Sequence, residues 1–103
     1  MKKNDLFYSA RRNYDTGEIT LTEWAAKRVG IAKAFFISTN DGSVWQDNPH
    51  RVEKGLSRLQ PTKRKALGAL EKDLNYDLMR ARTEVKSLEL ALNNITRLYK
   101  ITD

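Results

Sequence analysis

The sequence predicts a mainly α-helical protein: a small basic N-terminal head over residues 1–60, then a long C-terminal helix of coiled-coil type over 61–103. Three observations carry this. After Pro61 there is no further proline, and Gly68 is the only glycine. Leu67, Leu74, Leu78, Ala81, Val85, Leu88, Leu92, Ile95 and Tyr99 fall on a spacing of threes and fours, which from Leu74 onward is an a/d heptad seam. One unbroken helix here would measure roughly 60 Å, against roughly 25–30 Å for the folded head. The apolar stripe therefore needs a partner, and Leu74, Leu78, Ala81, Val85, Leu88, Leu92, Ile95 and Tyr99 are the candidate oligomerisation residues of a homodimer. Arg64 and Glu71 are polar a positions, so close pairing begins near Leu74. The spacing leaves parallel and antiparallel pairing equally open. A turn near Asn75 or at Asn93-Asn94 would instead give a monomeric helical hairpin.

Within the head, Lys2 to Tyr14 reads either as a short helix capped by Asn4 or Asp5, or as a strand favoured by Phe7, Tyr8 and Tyr14. Asp15-Thr16-Gly17 is a turn, because Asp supplies a hydrogen-bonding side chain and Gly a permissive backbone. Thr22 is a good N-cap, Glu23 suits the positive end of a helix dipole, and Gly30 suits a helix C-terminus, so 22–30 is predicted helical. Ser38 to Ser43 forms a second turn cluster. Asp47-Asn48-Pro49 opens another helix over 49–59, with Val52, Leu56 and Leu59 on one buried face.

Charge narrows the function classes. Residues 1–65 hold thirteen Lys/Arg against seven Asp/Glu, and 66–103 hold six against six, so the whole net charge of +6 lies in the first part. Such asymmetry points to an acidic partner, nucleic acid first, or else to a solvated basic surface. The chain has no cysteine and one histidine, which leaves no zinc set and fits a reducing compartment. No run of eighteen apolar residues exists, and the start lacks the apolar core of a secretory signal, so a soluble cytoplasmic protein is expected. There is no phosphate-cradling glycine loop, nucleophile–base pair or paired acids. The protein is read as non-enzymatic, without metal, cofactor or small-molecule substrate.

The stretch from Thr20 to Ser38, TLTEWAAKRVGIAKAFFIS, resembles a helix-turn-helix. Ala25 and Ala26 are the small residues wanted where two helices cross, Gly30 suits the turn, and Val29, Ile31 and Phe36 supply apolar positions around it. The lead-in ITLTEW is similar to the start of phage excisionases and of MerR-type winged helices, and the MerR-type regulators also follow their reading head with a long dimerisation helix. This resemblance covers about twenty residues and implies a DNA-binding regulator of phage or mobile-element type. It implies that Ala32 to Ser38 enter the major groove with Lys33, Ser38 and Thr39 facing DNA. Thr22 and Arg28 would hold phosphates, and Asn40 to Ser43 would tip a wing. Arg51, Lys54, Lys63, Arg64 and Lys65 would extend the backbone contact. Lys63, Arg64 and Lys65 also crowd a helix N-terminus, against the macrodipole, which a phosphate or acidic surface would explain.

A second reading keeps the charge and drops the motif. Residues 34–38 pair as a strand across Asn40-Asp41-Gly42 with Ser43-Val44-Trp45, and Phe35, Ile37 and Trp45 become sheet core. Separately, Ala32, Ala34 and Ile37 are poor base readers. That favours an alternative function: a protein-interaction module or inhibitor that docks on another protein through the helix and the basic head.

Overall fold

The computed structural model describes residues 1–102. Four strands come first: β1 (Leu6–Arg12), β2 (Ile19–Val29), β3 (Ala34–Ser38) and β4 (Val44–Asp47). Two helices follow, α1 (Pro49–Glu53) and α2 (Lys63–Ile101). The strands form one antiparallel sheet in the order β1-β2-β3-β4. The chain divides into two units, Met1–Glu71 and Lys72–Asp103.

The head is therefore a sheet, which corrects the mainly helical fold class and removes the helix-turn-helix. Thr22 to Val29 belong to β2, and the supposed reading helix is β3. Alternation explains why. Thr20, Thr22, Trp24 and Ala26 share one face at period two; β2 pairs with β1 over Ile19–Ala25 and with β3 over Trp24–Val29. Pairing on both sides at Trp24 and Ala25, with Ala26 N bonded to the Asp5 carbonyl, overrides the helix propensity of Ala25 and Ala26. Glu23 does not cap a helix; its carboxylate accepts from the Tyr8 hydroxyl at 3.3 Å and the Thr39 hydroxyl at 3.0 Å. Gly30 ends no helix either. It sits in the turn between β2 and β3, where its N–H donates to the Lys33 carbonyl at 2.8 Å. An added Cβ there would lie 3.0 Å from that oxygen.

The turns are where the sequence placed them. Gly17 has φ 78° and Gly42 φ 73°, both in the left-handed region that suits glycine. The Asn13 side chain accepts from Asp15 N and Thr16 N, and the Ser38 hydroxyl from Asn40 N and Asp41 N. β3 and β4 pair as the strand reading of 34–45 expects. Phe35 and Ile37, however, are half-buried on the face opposite the core, and only Trp45 packs against it.

One face of the sheet carries the core: Phe7, Trp24, Ala26, Ala34 and Phe36, covered by Val52 and Leu59. Phe36 and Leu59 are wholly buried. Phe7 meets Phe36 edge-on at 5.5 Å between ring centroids, and Trp24 meets Trp45 at 5.4 Å. The cover is shorter than the predicted 49–59 helix. Asn48 caps α1 through His50 N, but Gly55, at φ 72°, ends it early. Val52 and Leu59 remain inside, whereas Leu56 is 63% exposed. Gln60 then pairs with Tyr8 on the outer edge of β1, through N–H···O bonds of 2.7 and 2.8 Å in both directions.

Thr62 caps α2, its hydroxyl accepting from Lys65 N at 3.1 Å. From there α2 is unbroken to Ile101, so the turns at Asn75 and Asn93-Asn94 do not form. Among the described residues no helix is long and apolar enough to cross a membrane.

Candidate nucleic-acid interface

The α1 segment covers only the half of the core face that holds Phe7, Ala26 and Phe36. The other half stays open as a groove of about 420 Å³. Its floor alternates down two paired strands: Ser9 and Arg11 on β1 stand opposite Thr22 and Thr20 on β2. Trp24 and Trp45 close the end next to the core, and Arg58 and the 41–44 turn form the sides. Trp24 is tied down by its indole N–H, which donates to the Ser9 hydroxyl at 2.9 Å. Trp45 is half-buried, and its indole N–H donates to Asp47 at 3.2 Å. Asp47 also accepts from the Ser57 hydroxyl and from Asn48 N at 2.7 Å, which fixes the strap that carries Arg58.

Two guanidinium groups, hydroxyls and an aromatic edge along an open channel suit a phosphodiester strand, with cations on phosphates and hydroxyls on sugar or phosphate oxygens. The same set contains no nucleophile held by a base. Among the described residues no three His, Cys, Asp or Glu side chains gather where they could hold a metal.

One acid borders the groove. Asp41 is held below the usual carboxylate value of 3.8, chiefly by the Ser43 backbone N–H at 2.9 Å, then by the Ser43 and Ser38 side chains. Its folded value is depressed, so its contribution is present above 3.8 and lost as pH falls through the lowered value. Asp41→Asn is therefore expected to flatten the acid limb of thermal stability. Melting curves from pH 5 downward check this; limbs that superimpose on the parent protein would remove Asp41 from the account.

The ten residues proposed from the sequence do not form one site. Thr22 lies on the groove floor. Ser38 is buried and occupied with the turn, and Thr39 donates to Glu23. Arg28 follows a β-bulge at Lys27 and, paired with Phe35, stands on the face opposite the groove. Lys33 is exposed in the adjoining turn. Arg51 is exposed on α1 and donates to the Leu56 carbonyl at 3.2 Å. Lys54 and Lys65 border a second hollow, of about 330 Å³, beside Gly55 and Gln60. Lys63 reaches over the Tyr8 ring at 5.8 Å, and Arg64 is exposed beside it. The sequence does not mark Arg11, Thr20 or Arg58 as site residues, and it reads Trp45 as core rather than as a base-stacking platform. Period-two spacing of Phe7, Ser9 and Arg11 is the signal that places Arg11 on the core face.

Comparison with protein-family models finds none that matches the chain, and comparison with curated proteins and with solved structures finds no match.

Proposed function

We propose that this is a small, intracellular DNA-binding protein that takes a single-stranded segment in the groove beside Arg11 and Arg58 and self-associates through α2. The observation that carries the reading is the groove itself: two cations, Arg11 on its floor and Arg58 at its side, among hydroxyls, in the segment 1–65 that holds all of the excess positive charge. A duplex reader is less well supported. The helix that would enter a major groove is β3, and α1 spans only Pro49–Glu53. Sequence selectivity should be weak, since the groove offers phosphate contacts and an aromatic edge rather than bidentate base readers.

Fluorescence anisotropy with a labelled single strand and its duplex, across a salt series, tests this. The expected result is tighter binding of the single strand, with log affinity falling linearly in log salt by about 0.7 per phosphate neutralised. No binding of either form at low salt would overturn it.

A protein-docking reading draws on a different observation. The opposite face of the sheet exposes Leu6, Ile19, Leu21 and Val44, at 44%, 45%, 39% and 66%. Leu21→Lys with Leu6→Lys should leave strand binding intact and abolish capture of a protein partner on that face.

A further inference from the structure

We propose that two copies of α2 pair antiparallel, in the register that sets Val85 of one copy against Leu88 of the other. The inference rests on the self-association proposed above and adds its direction and register. From Leu78 onward the seam of α2 is left uncovered: Leu78, Val85, Leu88, Leu92 and Ile95 are between 48% and 64% exposed, and Leu74 is half-buried. The heptad has Leu78, Val85, Leu92 and Tyr99 at a, and Leu74, Ala81, Leu88 and Ile95 at d.

The flanking charges decide between arrangements. Position g carries Asp77, Glu84, Ala91 and Leu98; position e carries Asn75, Arg82, Glu89 and Thr96. A parallel pair matches g with the following e of the other copy. Asp77 then meets Arg82, but Glu84 meets Glu89, and each contact occurs twice. Attraction and repulsion cancel. An antiparallel pair matches g with g and e with e. With Val85 opposite Leu88, Arg82 meets Glu89 twice, Glu84 faces Ala91 and Asp77 faces Leu98, so no like charges meet. The neighbouring antiparallel registers lack this. One sets Arg82 and Glu84 each against itself; the other sets Glu89 against itself.

The apolar layers agree. In the chosen register every seam residue from Leu74 to Tyr99 finds a seam partner, and the small Ala81 lies against the large Leu92. A parallel pair would stack Ala81 on Ala81, leaving a gap in the middle of the seam. The two chains thus enter the paired segment from opposite ends. Lys72 lies level with Ile101 of the second copy, which separates the two Lys72 residues by about 43 Å along the axis.

The chain has no cysteine, so one introduced thiol takes one spin label. Pulsed dipolar spectroscopy on the full chain carrying Lys72→Cys, and separately Lys86→Cys, reads the arrangement. The expected result is a distance near 43 Å at position 72 and a short one, within about 20 Å, at position 86. Short distances at both positions mean a parallel dimer and overturn the inference while leaving self-association standing. No dipolar coupling at either position, with a monomer by sedimentation, overturns self-association itself and the inference with it. Glu84→Lys gives a second reading. It should leave the dimer dissociation constant within about twofold, whereas a parallel pair would tighten on losing its Glu84–Glu89 repulsion, by a few tenths of a kcal/mol or more per contact. Tightening well beyond twofold overturns the antiparallel register.

Discussion

Phe36→Ala is expected to remove much of the stability of the sheet-bearing unit, lowering its melting temperature sharply, while leaving the helix of residues 72–101 formed. Phe36 is wholly buried, on a central strand, and its ring meets Phe7 edge-on. Truncating a fully buried phenylalanine costs about 3–5 kcal/mol, transfer and cavity together. A unit of the size of Met1–Glu71 has only about 4–10 kcal/mol to lose, at roughly 0.05–0.15 kcal/mol per residue. Collapse of the neighbours would not heal the gap, because Ala26 and Ala34 around it are already small and buried. Trp24 and Trp45, both packed on this core, report the loss as a red-shifted emission. Far-ultraviolet circular dichroism should retain much of its helical signal, since residues 72–101 hold the seam outside that unit. Phe36→Leu, which keeps most of the volume, should cost less than half as much. Leu21→Ala, on the opposite and partly exposed face, should cost under about 1 kcal/mol. A parent-like melt for Phe36→Ala would mean that the core does not depend on this ring.

Local and non-local information divide this chain unevenly. α2 was legible because its pattern is entirely local: threes and fours over many turns, one glycine, no proline. The turns at Gly17 and Gly42 were legible for the same reason, since Asp-Thr-Gly and Asn-Asp-Gly each specify their own backbone. β2 was not. Thr22-Glu23 satisfies the local rule for a helix start, and Ala25-Ala26 satisfies the local rule for a helix interior. What makes the segment a strand lies elsewhere in the chain: β1 on one side, β3 on the other, and Tyr8 and Thr39 to engage Glu23. The early end of α1 was a milder case of the same kind. Leu56 keeps helical phase with Val52, but Gly55 at positive φ turns the chain so that Leu59, and not Leu56, drops into the core. The candidate site was hidden most deeply. Arg11 and Arg58 come from opposite ends of the head, and no spacing in the sequence reports that a strand and a strap bring them to one groove.

Reversing both cations of that groove, Arg11→Glu with Arg58→Glu, should therefore reduce single-strand affinity about a hundredfold or more. Hydrogen bonds to charged groups contribute about 1.5–3 kcal/mol each, so losing one contact is worth at least about tenfold, before the added repulsion of a carboxylate against phosphate. The salt dependence should shift with it, the slope of log affinity against log salt falling by about 0.7 for each phosphate no longer neutralised. Both side chains are exposed and neither belongs to the core, so the melting temperature and the tryptophan emission should stay close to the parent protein's. The comparison that localises binding is Arg28→Glu with Lys33→Glu. It makes the same change in net charge, but Arg28 lies on the opposite face and Lys33 in the turn beyond it. A nonspecific basic surface would respond equally to the two double reversals, because only total charge matters to long-range attraction. A groove-bound strand would respond strongly to the first and only weakly to the second. The reverse order, strong loss on Arg28 and Lys33 with little on Arg11 and Arg58, would move the binding face to the other side of the sheet.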